Sequence, residues 1–188
     1  PEYSSGFKFS FVLIQLECHL PESNDKYKLI ALHFYANFTI ICPPSPDSCR
    51  LTLDPNTANR NLRLSEFNRV VTWEGCMQPY ADHPERFNSN GQVLCTEGLT
   101  GCCYWEVEWS GQQFGIALAY KGIGRQEGSN DSMYGQNDKS WCFKYNPGGY
   151  YSYNYSFCHN NETIQVQTTF TEPLYPGIYL YGGTAKLC

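Results

Sequence analysis

The chain has 188 residues, of which 16% are aromatic and 16% charged, with 16 Gly, 11 Pro, 10 Cys and a formal charge of −5. That length holds one sizeable domain with an appendage, and the aromatic content is far from that of a disordered chain. The acidic balance, with no run of Lys or Arg, gives no global attraction to nucleic acid or to an anionic bilayer. Residues 1–48 contain two apolar stretches, 7–20 and 29–42, interrupted by Lys8, Gln15, Glu17 and His19 and by His33 and Asn37. Each is shorter than the ~20 apolar residues that cross a bilayer, and nothing here has the layout of a signal peptide. No turn chemistry joins the two stretches into a sheet. Residues 1–48 are therefore expected to stand outside the fold, as a linker or as translated non-coding sequence.

From residue 49 the pattern changes. Asp54 followed by Pro55 sets a side-chain acceptor before a residue of fixed φ, which favours a single turn over 55–58. Leu62 and Leu64 then alternate around Arg63, and the β-branched and aromatic run 70–73 reads as a strand paired with them. Cys103, Trp105, Val107 and Trp109 share one face of an extended segment, with Tyr104, Glu106 and Glu108 on the other. In the next segment bulky Phe114, Ile116, Leu118 and Tyr120 alternate with small Gly115, Ala117 and Ala119, so a neighbouring sheet is expected close to the small face. These patterns predict an all-β sandwich.

Several of these residues also carry a resemblance. The run Leu51-Thr52-Leu53-Asp54-Pro55-Asn56-Thr57-Ala58, with Leu62, Leu64 and Ser65, resembles the PRY signature. His83-Pro84-Glu85-Arg86-Phe87, Val93-Leu94-Cys95, Gly98, Gly101, Tyr104-Trp105-Glu106-Val107, Gly115-Ile116-Ala117 and Lys139-Ser140-Trp141 follow in the order of the SPRY part. The chain thus resembles a PRY-SPRY domain of the kind that ends fish NOD-like receptors, tripartite-motif ubiquitin ligases and stonefish-type toxins. The resemblance implies a bent antiparallel β-sandwich over 49–188, with PRY at about 49–100 and SPRY at about 101–188. One departure stands out. After His159 to Asn161 the family continues through a hairpin, whereas here only 162–168 precede Thr169-Phe170-Thr171-Glu172-Pro173. About 25 residues, or two strands, are expected to be absent.

The resemblance implies a module without chemistry, cofactor or metal. The residues agree on their own terms. Cys76 and His83 lack a third orienting group, Gly122, Gly124 and Gly128 miss the dinucleotide-binding spacing, and Cys95 with Cys102 and Cys103 lacks C-x2-C spacing. The even cysteine count and the sequons at Asn37, Asn130, Asn154 and Asn161 would matter only in a secretory compartment. Family likeness favours the cytoplasm and mostly reduced thiols, with a protein ligand, no nucleic acid, no membrane, and an unspecified oligomeric state. The implied parent is an innate-immune receptor or ubiquitin ligase; the alternative is a secreted, stonefish-toxin-like subunit acting on membranes. By analogy the ligand meets variable loops at one end of the sandwich, here 74–82 and 122–138. The expected contacts are Met77, Tyr80, Arg125, Asp131 and Tyr134, joined by Tyr151 and Tyr153 of the tyrosine-rich patch.

Overall fold

The computed structural model describes residues 7–13, 49–99, 103–126, 130–147, 153–159, 162–163 and 171–188. In chain order its strands are β1 Phe7–Leu13, β2 Leu62–Ser65, β3 Val70–Trp73, β4 Gln92–Leu94, β5 Cys103–Tyr120, β6 Ser140–Pro147, β7 Tyr153–His159, β8 Glu162–Thr163 and β9 Leu174–Leu187. All pairings between them are antiparallel. Apart from one 3-10 turn at Asn130–Ser132, the described residues form no helix. The domain is all-β, as its sequence predicts.

Two long strands hold the layers together. β5 and β9 pair from Val107 opposite Leu187 to Tyr120 opposite Leu174. The end of this ribbon that contains Leu187 continues through β3 to β2 on one side and to β1 on the other. Its other end is flanked by β4 against β9 and by β6, β7 and β8 beyond β5. The inward residues of β5 are odd-numbered at first, Trp105, Val107 and Trp109, and even-numbered later, Phe114, Ile116 and Leu118, yet all six belong to one core. β9 changes parity at the same level, from Leu187 and Ala185 to Leu180 and Ile178. A strict two-residue period forbids such a change unless the backbone turns over. Gly111, at φ +142°, lies opposite Gly183, at φ +110°, with Gly182 beside it at φ +73°. These glycines make the bend, and across it Trp109 stacks on Phe114 with ring centroids 4.8 Å apart. The ribbon is folded over its own core.

The PRY run fastens the hairpin end to the sandwich. Asn56 N–H donates to Asp54 Oδ1 at 2.9 Å and Thr57 N–H to the Asp54 carbonyl at 3.1 Å, closing the expected turn. Thr57 Oγ1 then accepts from Leu94 N–H at 3.0 Å, while Leu53 N–H reaches the Asn68 carbonyl at 2.7 Å. β4 and the β2–β3 turn are thus joined through this run.

Three expectations need revision or bounding. Within the segment expected to stand outside the fold, Phe7–Leu13 pairs with β5, a partner about ninety to a hundred residues downstream that no local pattern announces; the rest of 1–48 lies outside the described residues. The small face of β5 is covered by loops and not by a sheet. Ala117 and Ala119 pack in a second cluster with Phe87, Leu94, Ile123, Tyr134 and Cys142. The expected deletion falls where β8 pairs with β7, and residues 164–168 lie outside the described residues.

Candidate functional site

The second cluster is the floor on which the 122–138 loop rests. It forms on the outer face of β4, β5, β6 and β9 because small residues there, Gly115, Ala117, Ala119 and Gly177, leave room for large loop side chains. A Cβ on Gly177 would lie 2.6 Å from Tyr134 Oη, which shows how closely the ring approaches the strand. Tyr134 is 0% exposed and its hydroxyl donates to the Val93 carbonyl at 3.0 Å. Gln92, also buried, accepts from Tyr134 N–H at 3.1 Å and donates to the Ser132 carbonyl at 2.7 Å. Burial away from water holds the Tyr134 phenol well above its ordinary range, opposed by the charge of Arg125.

Within the loop Asn137 acts as a hub. Its Nδ2 donates to the carbonyls of Asn130, Asp131 and Met133, and its Oδ1 accepts from Lys139 N–H and Ser140 Oγ. One buried amide thereby satisfies the backbone of a loop that has no strand to pair with.

Two arginines bind the neighbouring segments to this floor. Arg125 is 9% exposed; it donates to the carbonyls of Glu85 at 2.8 Å, Lys121 at 3.1 Å, Gly124 at 3.3 Å and Ile123, and its guanidinium lies 4.5 Å from the Phe87 ring centroid. Arg86, 5% exposed, donates to Ala58 at 2.6 Å, Ala81 at 2.8 Å and Pro55 at 2.9 Å, with the Tyr80 ring centroid 4.9 Å away. Burial lowers the pKa of both, for Arg86 with help from the like charge of Arg60. Arg60 in turn bonds the Tyr80 carbonyl at 2.6 Å and pairs with Asp82. Residues 85–88 therefore link the end of the 74–82 loop to the start of the 122–138 loop.

The expected contacts separate on this geometry. Met77 is 76% exposed and Asp131 is exposed, so both present side chains to solvent. Tyr80 is half-buried, its hydroxyl accepting from Leu64 N–H at 3.1 Å. Arg125 and Tyr134 lie in the loop with their side chains buried beneath it, where they offer almost no surface. Tyr151 lies outside the described residues, and Tyr153 opens β7 opposite Pro147, its side chain likewise undescribed. Sequence reasoning missed Arg86, Phe87, Gln92 and Asn137. Arg86 and Phe87 stood within a quoted motif, whereas Gln92 and Asn137 gave no local signal, since their partners are set by the fold.

Among the described residues no three His, Cys, Asp or Glu side chains gather to hold a metal, and no helix is long and apolar enough to cross a membrane. Cys49 is disulfide-bonded, whereas Cys76 and Cys95 are free thiols.

Comparison with known proteins places this geometry. Residues 51–99 match the family model described as PRY, the SPRY-associated domain. The chain is 42% identical to stonustoxin subunit beta of Synanceia horrida over 132 residues, which take in 70% of this chain and 18% of the toxin subunit. It is 34% identical to vespryn of Pogona barbata over 114 residues, covering 60% of this chain and 92% of vespryn. Among solved structures, the PSpry domain of TRIM65 superposes with a TM-score of 0.62 at 21% identity, covering 78% of this chain and 99% of that domain. The last comparison speaks for the fold alone. The chain spans less than a fifth of the stonefish toxin subunit.

Proposed function

The chain belongs to the PRY-SPRY family, and from that premise we propose that it is a non-catalytic recognition module that binds a protein ligand through its 74–82 and 122–138 loops. The observation that carries this reading is the pair of buried guanidiniums: Arg86 ties Ala81 to Pro55 and Ala58, and Arg125 ties Glu85 to Lys121, Ile123 and Gly124, while Met77 and Asp131 are exposed. A rigid base with exposed, mixed side chains suits binding with little ordering cost. In this reading the parent is an innate-immune receptor or ubiquitin ligase, and the module works in the cytoplasm.

Proximity labelling in cells tests it. Met77→Asp combined with Asp131→Arg should leave the melting temperature unchanged and remove a defined set of labelled proteins, whereas the exposed, distant Glu108→Gln should remove none. An identical labelled set for all three proteins would overturn the loop assignment.

A secreted, toxin-like subunit acting on membranes is the second reading, favoured by the disulfide at Cys49 and by the identity to stonustoxin. Peptide mapping without reduction separates the two. Cys49 recovered in a disulfide, with glycan on the exposed Asn130, supports secretion; an alkylatable Cys49 and a bare Asn130 support the cytoplasm.

A further inference from the structure

β1 meets β5 in a register that specifies more than a generic edge contact. Phe7, Phe9, Phe11 and Leu13 stand opposite Trp109, Val107, Trp105 and Cys103, while Lys8, Ser10 and Val12 stand opposite Glu108, Glu106 and Tyr104. Directly opposed residues of an antiparallel pair share a face. The three aromatic residues of β1 therefore fall on the face where Trp105, Val107 and Trp109 are buried. On the other face Lys8 is matched with Glu108. A slip by one residue would place Lys8 and Ser10 on the core face, so only one register is tolerated. Among the described residues, β1 is the strand paired with this side of 103–109, while β9 pairs the opposite side from Val107 onward.

We propose that residues 103–109 of β5 form a strand-acceptor edge, and that its occupant is this chain's own segment 7–13, a tethered strand docked by β-augmentation. Backbone pairing supplies the attachment, and aromatic residues at alternate positions with one cation supply the selectivity. The tether raises the effective concentration of the strand at the edge, so a free strand of the same pattern competes only when the resident one is weakened. This inference is independent of the loop assignment, because the edge and the loops share no residue.

The test uses the full chain and a fluorescent peptide of the sequence of residues 7–13. In the unmodified protein the amides of 103–109 should exchange slowly and the peptide should not bind. Phe9→Asp, which sets a carboxylate opposite Val107, should raise exchange across 103–109 about tenfold or more. The same variant should bind the peptide saturably and regain protection, and should ignore a peptide that itself carries Phe9→Asp. Unaltered exchange in Phe9→Asp, or failure of the wild-type peptide to bind it, would overturn the proposal. Should that variant not fold, a charge-reversal cycle decides: Lys8→Glu and Glu108→Lys should each raise exchange at the edge and together restore it. Failure of the double reversal to restore protection would overturn the proposal as well.

Discussion

Tyr134, expected as a contact residue, is a loop side chain that the fold turns inward. A tyrosine in a loop rich in Gly, Asn and Asp looks like a contact residue, and nothing within ten residues of it says otherwise. What turns it inward is Gln92 and the carbonyl of Val93, more than forty residues away in sequence, together with the gap left by Gly177. Tyr134→Phe should keep the fold and cost about 1 kcal/mol, the net worth of one hydrogen bond. It should also change the alkaline limb of stability. Because burial raises the phenol above its ordinary 10.0, the folded protein keeps a proton that the unfolded chain has lost above that pH. Stability is complete below pH 10 and falls as pH rises through the folded value. The buried Cys95 thiol adds a fall of the same sign beginning near its ordinary 9.0. Thermal melts between pH 8 and 11 should therefore show the steepening above pH 10 diminished in Tyr134→Phe, with the earlier decline intact.

At the scale of elements, the alternation of β5 was fully legible, including its change of parity, because the odd face carries Trp105, Val107 and Trp109 and the even face carries Phe114, Ile116 and Leu118. What could not be read was that one strand contains both halves. Gly111 looks like a terminator, and Gly182 with Gly183 looks like a turn, so residues 174–187 gave no strand expectation at all. A glycine at positive φ inside a strand has the same local signature as one that ends it. The bend depends on these positions sterically as well. A Cβ on Gly183 would sit 2.0 Å from the Ser110 carbonyl oxygen, and backbone cannot yield as a flexible side chain does. Gly183→Ala should thus cost about 3 kcal/mol or more, a large share of the 5–15 kcal/mol typical of a domain. Gly122→Ala, where an added Cβ meets nothing within 4 Å, should change stability by less than about 0.5 kcal/mol. Denaturant midpoints of the two variants check the pair.

For the whole molecule, the recognition signal lay in ordered motifs that the fold explains: Asp54 and Thr57 hold β4, Arg86 holds the loops, and Trp105 and Val107 fill the core. The contribution of β1 was illegible because its partner strand lies about a hundred residues downstream, beyond the reach of any local pattern. Such distant pairing also governs how the domain comes into being. β9 is the last of the nine strands in chain order, yet it lies between β3 and β5 and also pairs with β4. During synthesis, β3 and β4 leave the ribosome with their shared neighbour β9 not yet made. At 5–20 residues per second, the roughly 125 residues from β2 to the end of β9 take about 6 to 25 s. For that interval the apolar faces of Val71, Val93 and Trp105 wait for closure, a natural window for chaperone capture. Ribosome-bound chains stalled before Leu174 should accordingly be digested by added protease, and chains stalled far enough beyond Leu187 to free β9 should resist it. Equal resistance in both would mean that the sandwich can form before its central strand arrives.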